Sequence, residues 1–444
     1  VRASISRVAA CGAIVALLGA APGPAPSEYP MHFPAASAAL VGNMRFIGEN
    51  DPGALIGGVQ VFVAAGLDRE SPSESGASAL VADCILRTPV TTENRPAKVP
   101  LRDAIAAVGA SLTYTVDGRS VHYYLEARGT TLATAVGLFA QAIAAPDFSP
   151  ATVAAARASV TARTHEAEGS ALTVGIEMFR RSYYLGGTGM PALGSASTIA
   201  SLDSRALERF YAATYRRSAI MASSAGNVGP EVATAVAALA NGLPDMPVAA
   251  AMSKARAIPA NAPRIIAHRD IGAPWVVVGF AAPAPNSSDF GAMLVLESLL
   301  SGAFERDSAT TLGFVEKSVG AFYLYDSSPA SLVFYVNGGQ IEPSLALREL
   351  LLVSKTLAIK PLGAAALARY KTAAVGHFLT DSTSLSDRSY LLGSFASQDL
   401  GTDAMNAALA ALQRTTAADV QRVSKRYLQR YIVALVLPRT ASEE

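Results

Sequence analysis

What most constrains this chain is that it repeats itself. Val108-Gly109-Ala110 recurs as Val319-Gly320-Ala321, 211 residues later (319 − 108). At the same spacing VHYYL at Val121–Leu125 meets LVFYV at Leu332–Val336, and Pro150 meets Pro361. In both copies a glycine starts a strand, a hairpin follows, then an Ala/Leu-rich helix, a proline and a second Ala-rich helix. A closing strand is read at Ser218–Val228 in the first copy. In the second it is read at Ile432–Leu437, reached through a helix at Ala417–Tyr431. Two homologous halves follow, and the periodicity by itself makes the chain α+β.

The joint between the halves is visible in composition. From Pro244 to Pro263 the chain reads PDMPVAAAMSKARAIPANAP, with four prolines that interrupt helix and sheet hydrogen bonding. The expected organisation is a leader over residues 1–27, a first domain over 28–243, a linker over 244–263, a second domain over 264–438 and a tail over 439–444.

The leader differs in kind from the rest. Arg2 and Arg7 precede an uncharged run from Val8 to Ala21, and the first acidic residue is Glu28. This is the layout of a secretory signal peptide, with cleavage near Ala20 or Ser27 and delivery to a bacterial periplasm or the extracellular space. A mitochondrial presequence, leading to the matrix side, is the alternative. The small number of arginines and the compact apolar core favour export. Beyond residue 22 no run is long and apolar enough to span a bilayer, so the mature chain is expected to carry no transmembrane span. Its 36 basic and 35 acidic residues leave a net charge of +1 with no basic stripe, so nucleic acid is not an expected partner.

Reactive residues are sparse. With the leader removed, Cys84 is the only cysteine and no intramolecular disulfide is available; its apolar neighbours Leu80, Val81 and Leu86 make it a packed small hydrophobe. None of the five histidines, His32, His122, His165, His268 and His377, stands at metal-ligand spacing from another. His122 falls on one face of a strand. No Gly-x-Ser-x-Gly elbow is present. The cluster Gly186–Gly189 lacks the lysine of a phosphate loop and reads as a flexible turn.

One stretch has a recognisable layout. In Gly66–Thr88, GLDRESPSESGASALVADCILRT, an apolar strand (Val59–Ala65) leads into a polar loop with Pro72. An apolar helical run from Ser78 to Leu86 follows. Further on, PALGSASTIASLDSRALERFYAATY at Pro191–Tyr215 is a glycine-and-serine loop followed by a helix ending in Phe-Tyr, and SAIMASSAGNV closes the half as a strand. In order and spacing these segments resemble the pitrilysin/insulinase superfamily of metallopeptidases, which includes the mitochondrial processing peptidase and the core subunits of respiratory complex III.

That resemblance implies two α+β domains, each a mostly antiparallel sheet covered by helices, arranged as a half shell. In active members the helix carries His-x-x-Glu-His, two imidazoles for zinc and a glutamate as general base. The matching positions here are Ala79, Ala82 and Asp83. Alanine has no lone pair to give a metal, and a catalytic zinc needs three protein ligands. Glu166 and Glu168 lie in the region of the family's further acidic ligand, with His165 beside them. These three and Asp83 are the weak metal candidates. In the second half, the family's Arg and Tyr that bind substrate backbone or the tetrahedral intermediate correspond to Val315 and Phe322. Slippage of the alignment by a residue or two would bring in Glu316, Lys317 or Tyr323.

The expected function is therefore that of a noncatalytic homologue, a structural or substrate-holding subunit paired with an active peptidase of the same family. Peptides are a second class of partner, and no zinc or other cofactor is expected. The competing readings are a peptidase with atypical ligands, drawn from Asp83, Glu166, Glu168 and His165, and a complex III core-type subunit.

Overall fold

The computed structural model describes residues 32–439 apart from 93–94, 249–250, 252–253, 262, 313–318, 328 and 339–342. The expected leader over 1–27, residues 440–444 of the expected tail, and Val315 lie outside the described residues. From Pro34 onward the chain forms one unit.

In the first half the elements are β1 (Ser37–Val41), β2 (Met44–Gly48), β3 (Ile56–Val63), α1 (Ala77–Arg87), β4 (Pro89–Thr92), β5 (Arg95–Pro100), α2 (Leu101–Ala107), β6 (Ser111–Val116), β7 (Val121–Arg128), α3 (Gly129–Ala144), α4 (Pro150–Gly169), α5 (Ala171–Tyr183), β8 (Tyr184–Leu185), α6 (Ala196–Ser201), α7 (Ser204–Thr214), β9 (Ile220–Gly226) and α8 (Pro230–Asn241). The second half has β10 (Lys254–Ala255), β11 (Arg264–Arg269), β12 (Trp275–Ala281), α9 (Phe290–Leu312), β13 (Val319–Leu324), β14 (Ser331–Asn337), α10 (Pro343–Ile359), α11 (Ala364–Thr380), α12 (Leu385–Ser397), α13 (Ala404–Arg414), α14 (Ala417–Tyr427) and β15 (Tyr431–Pro438).

Two sheets organise these elements, and their orders match. The first runs β1-β2-β9-β3-β7-β6 and the second β11-β15-β12-β14-β13. Each is antiparallel except for one parallel pair, β2 with β9 and β11 with β15. The helix expected at Ala417–Tyr431 stops at Tyr427, because Tyr431 already belongs to β15. Helix ends are well signalled in several places. Ser149, Ser170, Ser195, Asp203, Ser384 and Thr416 each accept a backbone N–H of the first turn, which satisfies donors that a helix start leaves open.

Each sheet carries its own half's helices on one face and a helix of the other half on the opposite face. Along β7 the alternation Val121, Tyr123, Leu125, Ala127 is buried against α3 and its neighbours. The other face of the first sheet is covered by α12, which packs on β9 and β3. Reciprocally α5 packs on β12 and β15 of the second sheet. Strand β9, IMASSAG, is buried throughout, and its small side chains suit a strand covered on both faces. Ser223 there donates its Oγ–H to the Ser389 carbonyl of α12 at 2.6 Å. The contacts leave no room for a β-carbon: one at Gly279 would stand 2.1 Å from the Phe179 ring of α5, and one at Gly393 of α12 would stand 2.1 Å from Phe62 of β3.

This exchange makes two sheets into one unit. The Arg388–Glu49 ion pair at 2.8 Å and the Tyr184 hydroxyl donating to Ser331 Oγ at 3.1 Å also cross between the halves. Within the joining stretch, Lys254 and Ala255 pair with Leu185 and Tyr184, and Ile258 is buried with Phe179 and Tyr183. Among the described residues no single helix is long and apolar enough to cross a membrane; α11 and the end of α10 reach that test only together, across a bend of 119°.

Candidate functional site

The helix singled out by sequence, α1, is held at its start by a residue that sequence reasoning passed over. Glu70 is fully buried and accepts the backbone N–H of Gly76 at 3.1 Å and of Ser78 at 2.9 Å. It thus does from a distance what an N-cap side chain usually does. Burial pushes its carboxyl up to about 7 against those two hydrogen bonds. Gly76 sits at φ +96°, and a β-carbon there would stand 2.9 Å from the Leu193 carbonyl oxygen, so only glycine lets the two backbones meet. The Gly186–Gly189 cluster is not the loose turn expected from sequence. Gly187–Gly189 is a buried 3-10 turn pressed on the segment leading into α1, where a β-carbon at Gly187 would lie 1.8 Å from the Leu67 carbonyl oxygen.

Every residue of α1 from Ala77 to Ile85 is buried. Ala79 and Ala82 have no exposed surface, and the Tyr114 hydroxyl from β6 donates to the Ala79 carbonyl at 3.2 Å. Asp83 is engaged one turn along its own helix: the Arg87 Nε–H donates to both carboxylate oxygens, at 3.3 and 3.2 Å. The Arg163 guanidinium of α4 lies 4.7 Å from the centre of the Tyr114 ring. Cys84 is buried, and burial, with Asp83 and Asp147 nearby, pushes its thiol up to about 12, so it is not a nucleophile near neutral pH.

The residues present at these positions do not fit zinc. A zinc site needs converging imidazole, thiolate or carboxylate donors, whereas this place offers two alanines, one carboxylate already paired and two guanidinium groups. On α4 the face turned inward is Val153, Ala156, Val160 and Thr164. His165, Glu166 and Glu168 are exposed, with His165 Nδ1 3.5 Å from Glu168 Oε2. The structure does not bring them to Asp83. Among the described residues no three His, Cys, Asp or Glu side chains stand together so as to hold a metal ion.

In the second half Phe322 is 39% exposed on β13 and stacks on Tyr335 with ring centres 5.3 Å apart. Of the residues that a slipped alignment would bring in, Glu316 and Lys317 lie outside the described residues. The Tyr323 hydroxyl is committed to the Pro283 carbonyl. His122 lies on β7 as expected, stacked on Phe62 and at a tilt to Tyr390, with Nε2 3.9 Å from Asp117. Burial lowers its imidazole to about 4, so it is neutral near neutral pH. Asp117 and Asp326, at the tips of the two equivalent hairpins, are both raised above the ordinary carboxylate range, by burial first. Each carries its own hydrogen bonds, Asp117 from Ser120 and Asp326 from the Tyr390 hydroxyl at 2.7 Å.

Residues 45–184 match the family model described as Insulinase (Peptidase family M16). No curated protein matches the sequence. Among solved structures, a protease from Helicobacter pylori superposes with a TM-score of 0.81 at 15% identity, covering 92% of this chain and all of that one. A peptidase M16 inactive domain from Pseudomonas fluorescens gives 0.77 at 14%, covering 91% and 99%. A chain of complex III2 from Candida albicans gives 0.74 at 13%, covering 90% and 95%. Over β2 to β8 the chain is thus similar to the insulinase family, peptidase family M16, and its two-sheet fold is common to these structures.

Proposed function

We propose that this chain is a noncatalytic member of its family that holds substrate or supports assembly beside an active family member. The observation that carries the reading is the closure of the motif helix. Where active members present metal-binding side chains, Ala79 and Ala82 are sealed under Tyr114 and Asp83 is spent on Arg87. Metal-assisted hydrolysis needs an activated water and donors for the developing oxyanion. The described residues around α1 offer neither. The fold itself is intact, so what remains for selection to use is its surface.

Similarity to the inactive domain from Pseudomonas fluorescens and to a chain of complex III2 supports the same reading. A core-type subunit of a larger assembly is one form it takes.

The test is association. Mixed with a family member from the same host that carries an intact His-x-x-Glu-His, the chain should co-elute as a stable complex, whose interface should bury more than about 1,000 Å². Alone, it should hold well under one zinc per chain and hydrolyse no peptides. A chain that stays monomeric with every such companion overturns the pairing, and peptide hydrolysis lost on Asp83→Ala overturns the lack of catalysis.

A further inference from the structure

The second half holds a cavity of about 430 Å³ between α9, β13, α11 and the middle of α12. Its place matches that of the motif helix in the first half: α9 follows the central strand β12 as α1 follows β3, and α11 packs on α9 as α4 packs on α1. There the space has closed around alanines. Here it stays open.

Its chemistry is one-sided. Glu297 of α9 lines the cavity, with Oε1 accepting the Tyr323 backbone N–H at 2.7 Å and no other hydrogen bond to the carboxylate among the described residues. Asp326 also lines the cavity, as does the exposed Asp381 beside His377. Among the described residues no lysine or arginine is in the lining. Burial first, and Asp381 in addition, raise the Glu297 carboxyl to about 7. A neighbouring positive charge would relieve that penalty. Most of the remaining wall is apolar or aromatic, with Leu294, Ala374, Phe378, Tyr325 and Leu391, and Ser301 adds a hydroxyl.

An inorganic ion is disfavoured, because these acids do not assemble a metal-binding group. An anion would meet three carboxylates with, among the described residues, only the His377 imidazole beside them. A volume in the range of small-molecule sites, with aromatic walls and a buried carboxylate, suits a positive group carried on an apolar body. We infer that this cavity binds a small organic cation, an amine or guanidinium on an apolar frame of dipeptide size or less, with Glu297 as its counter-ion. The inference rests on the second half alone and holds whether or not the chain pairs with a partner.

Calorimetric titration of the full chain tests it with tyramine, agmatine and benzamidine, and with uncharged 4-ethylphenol as the control. At least one cation should bind with a dissociation constant below about 1 mM, and at least about tenfold more tightly than the control. Glu297→Gln keeps an oxygen for the Tyr323 N–H and should lose about tenfold. Ala374→Leu, which fills the cavity without changing charge, should abolish binding, and the melting curves of both variants check that they fold. A lysine-containing pentapeptide blocked at both ends separates the sources. If it binds as well, the ligand class includes basic side chains of peptides; if only the free compounds bind, it is a small molecule. Absence of binding by all the cations, equal binding of 4-ethylphenol, or unchanged affinity in folded Glu297→Gln overturns the inference.

Discussion

The pair α1 and α4 in the first half and the pair α9 and α11 in the second stand in equivalent positions on equivalent sheets, yet one is sealed and the other encloses a cavity. At the sealed pair the buried residues include the small Ala79 and Ala82 on α1 and Ala156 and Val160 on α4, and the one remaining acid is tied to Arg87. At the open pair Leu294 and Glu297 face Ala374 and Phe378 across space that no described side chain fills. A duplicated scaffold thus lets one copy collapse to native packing density while the other keeps a buried carboxylate and room beside it.

The strongest way to break this comparison is to force the sealed pair open. Ala79→His, Ala82→Glu and Asp83→His together insert three large polar side chains where two residues have no exposed surface, and leave Arg87 without its acid. A loss of about 4 kcal/mol or more is expected, because overpacking adds to uncompensated burial of polar groups. Thermal and denaturant unfolding would measure it. A triple variant as stable as the parent and holding one zinc would mean that the pair is not sealed. Asp83→Ala alone should cost about 2–3 kcal/mol, since it strands a largely buried guanidinium. Adding Arg87→Met should recover much of that, and a double-mutant cycle reads the coupling.

Next in size is a pH effect. The folded-state value of Glu70, about 7, lies above the 4.5 of an unperturbed glutamate, so the folded chain holds this proton more tightly than the unfolded chain. Its contribution is fully present below about 4.5 and is lost as pH rises through about 7. A fall on the order of 2 kcal/mol between pH 5 and pH 8 is expected, with a shallower slope in Glu70→Gln whatever that variant's absolute stability. Glu297 acts with the same sign. The smallest effect is at the open pair: Ala374→Leu should change stability by less than about 1 kcal/mol, because the added methylenes enter existing space. A destabilisation of several kcal/mol there would show the second pair to be as tightly packed as the first.

Much of this was legible in the sequence, where local rules govern. The repeat implied two homologous halves, and the apolar run at Ser78–Leu86 became α1 within a residue at each end. The i, i+4 spacing of Asp83 and Arg87 was also on the page, and it marks a paired acid rather than a candidate ligand. Glu70 could not be read in this way. Gly187 presses on its backbone, a contact between segments far apart in sequence. Nor could the exchange of α5 and α12, since an apolar helix face does not say which sheet it will cover. The cavity depends on Glu297 and Asp381 facing one space, and no spacing rule links residues on separate helices.

The exchange of α5 and α12 has a consequence for how such a chain can be built or divided. A half cut out at the joining stretch would take away the helix that shields its neighbour's sheet and leave its own sheet bare on one side, with Phe62 or Val277 facing water. Two such fragments made separately and mixed would each supply what the other lacks, so the severed chain should reassemble as a complementing pair. By the same geometry, an ancestor the length of one half would have needed a second copy of itself before it could fold to completion. Fusion would then have turned an obligatory dimer into a single molecule, leaving its two copies free to diverge, one to close and one to stay open.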